Sequence, residues 1–119
     1  MKLLKLLSCV FLCVLLIACG SMRSSFHLDE ANEAYSMGNC DAVFISLSSA
    51  ERIIATRKYF QPELAMLRGL CLENKGNYFD AIAIYNYIQD AFPNNEYAYR
   101  AKARGKVLML QKVESKRPL

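Results

Sequence analysis

Cysteine and histidine are the side chains in this sequence that are most able to do chemistry, and the chain has five of the first and one of the second. Because His27 is the single histidine, no histidine pair is available for catalysis or metal binding. The sequence contains no Cys-x-x-Cys pair and no glycine-rich phosphate loop after a strand, and its carboxylates are scattered singly. We therefore expect neither an enzyme nor a bound cofactor or metal, and we interpret His27 as a solvated residue near a helix start.

Three of the cysteines lie in the N-terminal segment Met1 to Gly20, in which two lysines accompany a long apolar run. This arrangement is typical of an export signal that is removed from the mature protein. Its last residues, Leu16-Ile17-Ala18-Cys19, resemble the bacterial lipobox. The resemblance implies that the thiol of Cys19 receives a diacylglycerol, that the signal peptide at residues 1–18 is cut off, and that the new amino group is acylated.

Lipidation at Cys19 implies a protein held on a membrane surface without crossing it, because two or three acyl chains give stable attachment. The residues that follow, Gly20 and Ser21, include no aspartate, which resembles lipoproteins sorted to the outer membrane. The expected location is a bacterial membrane, with the outer membrane and its periplasmic face preferred. The alternatives are an uncleaved anchor and an ordinary signal with a chance cysteine. Residues 19–27 are polar and rich in serine, which predicts a flexible tether after the lipidated cysteine.

Two cysteines, Cys40 and Cys71, remain once the signal is removed and Cys19 is lipidated. Export takes the chain into an oxidising compartment, where an even number of cysteines favours a disulfide. Two buried free thiols are the alternative.

The stretch from Gln61 to Asn95 carries the clearest structural pattern in the chain. The turn Gly76-Asn77 divides it into two segments with helical spacing, and Pro93 ends the second. Small or apolar residues recur on both segments where two antiparallel helices must touch. The pattern predicts a helical hairpin whose contact residues are Ala65, Gly69 and Leu72 on the first helix and Ala81, Ile84, Tyr85 and Ile88 on the second.

This hairpin resembles the tetratricopeptide repeat, which has a period of about 34 residues. The match depends on a small residue in each helix, Gly69 and Ala81, and on a turn at Gly76 that is followed by Tyr78. It also depends on an aromatic residue in the second helix, Tyr85, and on a closing proline, Pro93. The chain departs from the family at Ala65, Arg68 and Ile88, where tryptophan, leucine and alanine are usual. An unrelated helical hairpin is the alternative.

The repeat pattern extends to both sides of the hairpin. Residues 28–58 are interpreted as a degenerate first repeat around the turn Gly38-Asn39, which lies 38 residues before Gly76-Asn77. The four residues beyond the family period predict one extra helical turn near residues 56–60. Residues 96–112 are expected to form a capping helix. The predicted fold is therefore all-α, a solenoid of about two and a half repeats and five helices over residues 28–112, followed by a disordered tail at 113–119.

The resemblance also implies a binding groove, because the first helix of each tetratricopeptide hairpin faces a partner segment. Carried onto this sequence, it implies that a protein partner docks an extended or helical peptide along the central repeat and the capping helix. The groove residues would be Glu63, Met66, Leu70, Glu73 and Asn74, with Arg100 and Arg104 at a basic end. The first repeat would add Leu28, Asn32 and Tyr35, and the capping helix would add Tyr97. Ordinary core positions are the alternative for Met66 and Leu70.

Charge is distributed unevenly along the chain. The formal net charge of +4 falls to +2 when Lys2 and Lys5 leave with the signal, since 13 basic and 11 acidic side chains remain. This balance gives no reason to expect a nucleic acid partner. Residues 96–119 carry seven Lys/Arg and two Glu, whereas residues 20–95 carry six and nine.

The combination of lipobox and repeats resembles small tetratricopeptide lipoproteins attached to outer-membrane assembly, pilus and secretion machineries. The run YNYIQDAFPNNEYAYRAKARGKVL is similar to the repeats of outer-membrane assembly lipoproteins, although this chain is much shorter than those proteins. The expected function is a lipid-anchored adaptor that binds a partner protein in envelope assembly or secretion. The alternative is a self-associating envelope lipoprotein that binds peptidoglycan or lipid through its basic C-terminal helix. The oligomeric state and the partner are left open.

Overall fold

A computed structural model of the protein describes the backbone of residues 1–55 and 57–115, together with their side chains except those of residues 14–25 and 54. Helix α1 spans Lys2–Ser36, α2 spans Cys40–Ile54, α3 spans Gln61–Asn74, α4 spans Tyr78–Ala91 and α5 spans Glu96–Ser115. No strand occurs among these residues, so the predicted all-α class is confirmed.

The turns at Gly38 and Gly76 end α1 and α3 in the same way. Both glycines have a positive φ, 73° and 78°, which a residue with a Cβ rarely adopts. The N–H of the asparagine after each glycine donates to a carbonyl five residues earlier, at 2.9 Å in the first turn and 2.8 Å in the second. This is the Schellman arrangement. After each of the two turns the next helix begins directly. The two Gly-Asn turns are therefore equivalent in backbone hydrogen bonding as well as in sequence.

The asparagines after these glycines both occupy the N-cap of the following helix. The side chain of Asn39 accepts a hydrogen bond from the N–H of Ala42 at 3.1 Å and so caps α2. Asn77 holds the N-cap position of α4 without a side-chain hydrogen bond.

Two buried clusters hold the helices together. The first joins α1, α2 and α3, and the second joins α3, α4 and α5. All their members lie between Leu28 and Leu108, and the described side chains of residues 1–13 are exposed. Among the described side chains, the core is therefore built from residues 28–108 without residues 1–13.

The helices α3 and α4 approach closely at Gly69, as the hairpin pattern predicts. A Cβ at this position would lie 2.6 Å from Cε1 of Tyr85. Ala81, Tyr85 and Ile88 have no exposed surface, and the other predicted contact residues, Ala65, Leu72 and Ile84, pack against the same cluster. The predicted contact surface of the hairpin is confirmed.

The helices are arranged in two layers. Helix α1 contacts α3, and α3 contacts α5, so these three form a continuous layer that we name the inner layer. Helix α2 packs on α1 and α3, and α4 packs on α3 and α5, but within the described residues α2 and α4 do not contact each other. Because the helices touch on one side of the stack and are separated on the other, the stack curves towards the inner layer.

The segment around the predicted tether differs from the sequence expectation. Residues 19–27 continue α1 as helix instead of forming a tether, and α1 therefore begins at Lys2 rather than at Leu28. The physical reason is that the uncut chain has no proline and one glycine between the leucine-rich run and the domain, so a helix nucleated upstream propagates without a break.

No helix in the described part of the chain is long and apolar enough to cross a membrane.

Two further boundaries also differ. Helix α2 ends at Ile54 rather than near Lys58, and residues 57–60 form turns instead of an extra helical turn, while Thr56 lies outside the described residues. Phe60 packs against the first core cluster. The segment between α2 and α3 therefore turns towards the core and does not continue along the axis of α2. At the C-terminus, α5 extends through Ser115 into the predicted tail because residues 106–115 contain no glycine or proline that would end it, and residues 116–119 lie outside the described residues.

Candidate partner-binding surface

The seam between α1 and α3 is the first part of the inner layer. The side-chain amide of Asn32 donates to the carboxylate of Glu63 at 3.1 Å and to the carbonyl of Leu28 at 3.1 Å. Asn32 is exposed and Glu63 is half-buried, so both side chains belong to the accessible surface. This pair of hydrogen bonds fixes the position of Glu63 where the first two helices of the layer meet.

Glu73 joins three helices near the other end of α3. Its carboxylate accepts a hydrogen bond from the hydroxyl of Tyr85 at 2.8 Å and forms an ion pair with Arg104, whose Nε lies 3.2 Å from Oε2. Only 12% of the Glu73 side chain is exposed, whereas 45% of Arg104 is exposed. Glu73 therefore orients Arg104 on the surface of the inner layer, and its own oxygens already have partners.

The titration of the inner-layer groups reflects these contacts. Burial raises the pKa of Tyr85, and its hydrogen bond to Glu73 raises it further. The hydrogen bond to Glu73 also raises the pKa of the Arg104 guanidinium. Burial raises the pKa of Tyr97, and the carboxylate of Glu63 adds to this effect. The two phenols therefore stay neutral and Arg104 stays charged over the physiological pH range.

Met66 does not line this surface, and the groove prediction is wrong for it. The residue is 3% exposed and belongs to the core cluster that contains Ala98 and Ala101 of α5. The same cluster includes Ala81, Tyr85 and Ile88 of α4, so Met66 belongs to the core shared by α3, α4 and α5. Leu70 is half-buried and packs against the same cluster, so part of its side chain remains accessible.

The remaining groove predictions fall on both accessible and buried positions. Asn74 is exposed at the end of α3, and exposed Arg100 lies over the ring of Tyr97, with its guanidinium carbon 5.3 Å from the ring centroid. In the first repeat, Leu28 is buried and Tyr35 is half-buried against the first core cluster. The structure thus brings together Asn32, Glu63, Leu70, Glu73, Asn74, Tyr97, Arg100 and Arg104 along the inner layer.

Two clefts lie away from the inner layer. One of about 430 Å³ is bounded by α2, α3 and α4 and contains the ion pair between Glu51 and Arg68. The other, of about 500 Å³, lies where the end of α5 passes the start of α4. In the second cleft, Nζ of Lys112 lies 4.1 Å from the ring centroid of Phe79. Neither cleft includes a residue that the sequence assigned to the groove.

The cysteines of the sequence analysis fall in three places. Cys40 and Cys71 are joined by a disulfide between the start of α2 and the last third of α3. Cys9 and Cys13 are exposed and free in the first turns of α1. Cys19, the predicted lipidation site, lies within α1, but its side chain is outside the described residues. Among the described side chains, no group of three His, Cys, Asp or Glu residues is placed to hold a metal ion.

Comparison with known protein families, curated proteins and solved structures finds no match for this chain.

Proposed function

We propose that the protein is a lipid-anchored adaptor, a short tetratricopeptide-like solenoid that binds a segment of a partner protein at the periplasmic face of a bacterial membrane. The equivalent turns at Gly38 and Gly76 support the repeat, because they end the first helix of two successive hairpins with the same hydrogen bonds. The two-layer arrangement supports it as well, since a solenoid binds partners on its curved inner side. About two and a half repeats and five helices are part of this proposal.

The observation that carries the proposal is that both seams of the inner layer are fixed by polar contacts. Asn32 holds Glu63 across the first seam, and Glu73 holds Arg104 across the second. Side chains that are already fixed lose little conformational entropy when a partner binds, which favours binding by a preorganised surface. The half-buried Leu70 lies between them along α3 and offers an apolar contact.

The chemistry of the surface indicates the kind of segment that it binds. The carboxylates of Glu63 and Glu73 are already hydrogen-bonded, and Arg104 is paired with Glu73. Arg100 is exposed and stacks on Tyr97, so its guanidinium edge is open to an acceptor. We expect a segment that places an apolar side chain over Leu70 and a carboxylate beside Arg100.

A substitution pair on the inner layer tests the binding proposal. Arg100→Glu combined with Asn74→Arg should reduce crosslinking to the partner in membranes by about tenfold or more, because Glu at position 100 repels the carboxylate of the segment and Arg at position 74 adds a large side chain to the same surface. Both side chains are exposed, so the melting temperature and helical content should hardly change. Quantitative mass spectrometry of crosslinked complexes measures the effect.

The matched control is Lys58→Glu combined with Asn86→Arg. These exposed residues lie outside the inner layer, and the pair changes the net charge by the same amount. The control should keep the same crosslinked partner at the wild-type level. Equal loss in both variants, or no loss in either, would contradict an inner-layer binding site.

Cys19→Ser tests the membrane anchor separately. Without the thiol no lipid can be attached, so the protein should leave the membrane fraction or retain its signal. Cys13→Ser, six residues upstream in the same apolar run, is the control and should be processed and anchored normally. Mass spectrometry of the mature N-terminus is the measurement, and an unacylated N-terminus at another residue in the wild type would refute the anchor.

A further inference from the structure

The outer side of α5 is not covered by another helix in the part of the chain that the structure describes. Its inward side contributes Ala98, Ala101 and Leu108 to the core. On the outward side, five residues recur at intervals of three or four along the helix and so form one stripe. We name these residues, Tyr99, Lys102, Lys106, Leu110 and Val113, the α5 face; Tyr99, Leu110 and Val113 are 67%, 60% and 62% exposed.

The charge of the α5 face is positive and uncompensated. Neither Lys102 nor Lys106 has an ion-pair partner among the described residues, and none of the five residues is acidic. The other cations of α5 contact neighbouring side chains away from this face, Arg100 the ring of Tyr97, Arg104 the carboxylate of Glu73 and Lys112 the ring of Phe79. The face therefore combines exposed apolar surface with two free ammonium groups, which complement a negatively charged apolar boundary.

A second copy of the chain does not fit this face. Lys106 lies midway between Tyr99 and Val113, so a two-fold axis at the centre of the face would place Lys106 against its own counterpart. Two ammonium groups brought together with no carboxylate between them repel each other, and an interface that buries them carries the cost of desolvation.

A partner helix fits the α5 face less well than a flat membrane interface does. Amphipathic helices bind in grooves between two elements, whereas the α5 face is the convex side of a single terminal helix. A membrane interface accepts such a convex surface, because apolar side chains enter the acyl boundary while lysine side chains extend to the phosphates. The tyrosine at one end of the stripe also suits the headgroup level.

We propose that the α5 face is a docking surface for an anionic phospholipid membrane, independent of the lipid on Cys19. Apolar contact through Tyr99, Leu110 and Val113 is combined with attraction of Lys102 and Lys106 to lipid phosphates. The contact lies on the outward side of α5, whereas Arg100 and Arg104 belong to its inner-layer side. Membrane docking by this face therefore leaves the inner layer free.

Vesicle binding by the unlipidated chain that starts at Gly20 tests the proposal, since every core residue among the described side chains lies within residues 28–108. This chain should float with phosphatidylglycerol–phosphatidylcholine vesicles at low salt and much less with phosphatidylcholine alone. Lys102→Gln with Lys106→Gln should weaken partitioning by about thirtyfold, or about fivefold for each lysine. Leu110→Ser with Val113→Ser should weaken it by about tenfold while leaving the melting temperature unchanged.

The control is Lys58→Gln with Lys75→Gln, which removes the same charge away from α5 and should retain most of the binding. Absence of flotation with anionic vesicles overturns the proposal, as does equal binding to both vesicle types. A dimer in light scattering that Leu110→Ser with Val113→Ser dissociates also overturns it and identifies a self-association surface. A photo-crosslinker at Tyr99 that gives a single protein adduct in membranes, and no lipid adduct, overturns it in favour of a protein partner.

Discussion

Gly69→Ala and Gly69→Leu are both expected to destabilise the helical domain. Overpacking should lower the free energy of unfolding by about 1–3 kcal/mol, and more for leucine than for alanine. A Cβ at Gly69 would lie 2.6 Å from Cε1 of Tyr85 and 3.3 Å from Cγ2 of Ile84. The Tyr85 ring has no exposed surface, and its hydroxyl is bonded to Glu73. Because the ring is held at both ends, α3 and α4 must move apart to admit the new side chain.

Gly105→Ala is the matched control for this experiment. Gly105 is also a buried helical glycine that faces Tyr85, but a Cβ there would lie 3.8 Å from Cβ of Tyr85, which is ordinary contact. The substitution should be neutral or stabilise the helix by roughly 0.5–1 kcal/mol. Thermal and denaturant unfolding of both alanine variants measure the contrast. A higher melting temperature for Gly69→Ala would contradict the close approach of α3 and α4.

The hairpin around Gly69 was predictable because its determinants are local in sequence. A small residue on each helix and a glycine at the turn specify where two antiparallel helices touch, and Gly69, Gly76 and Ala81 supply them. The first hairpin was predictable for the same reason, since Gly38-Asn39 repeats the turn of Gly76-Asn77. The all-α class follows from these signals, whereas the end of α2 depends on how Phe60 packs and has no local signature.

The accessibility of the inner-layer side chains was predicted less completely because it depends on the angle between helices. Met66 and Leu70 are four residues apart, so periodicity places them on one strip of α3. The structure separates them, since Met66 is buried in the second core cluster and part of Leu70 remains accessible. The periodicity of a helix identifies its faces, but the packing of the neighbouring helices decides which edge of a face is covered.

The Tyr85–Glu73–Arg104 cluster illustrates the same limit. Its three residues lie on three different helices, with Arg104 31 residues from Glu73 in sequence. The sequence analysis assigned Glu73 and Arg104 to the groove and Tyr85 to the helix contact, but no spacing rule connects all three. The packing of α5 on the hairpin brings the guanidinium of Arg104 to the carboxylate of Glu73, which also accepts a hydrogen bond from the hydroxyl of Tyr85.

The second large effect is expected from the disulfide between Cys40 and Cys71. The bond closes a loop with a sequence separation of 31 residues, and the Cα atoms are 5.3 Å apart. Both cysteines are buried in the first core cluster, where α2 begins beside the last third of α3. In the chain-entropy account, a cross-link over a loop of about 30 residues contributes about 3–4 kcal/mol. A small domain has a total stability of only about 5–15 kcal/mol, so reduction should lower its melting temperature strongly.

Reduction and substitution together separate the cross-link from the packing of the two sulfur atoms. The chain from Gly20 should melt much lower with a reductant than without it, whereas Cys40→Ala with Cys71→Ala should melt low and be insensitive to the reductant. Thiol titration after denaturation without reductant should find no free thiol in the chain from Gly20, whose cysteines are Cys40 and Cys71. Two titratable thiols would favour the buried free pair instead. In that case α2 and α3 are held by apolar packing and by ion pairs such as that between Glu51 and Arg68, and a reductant should not change the melting temperature.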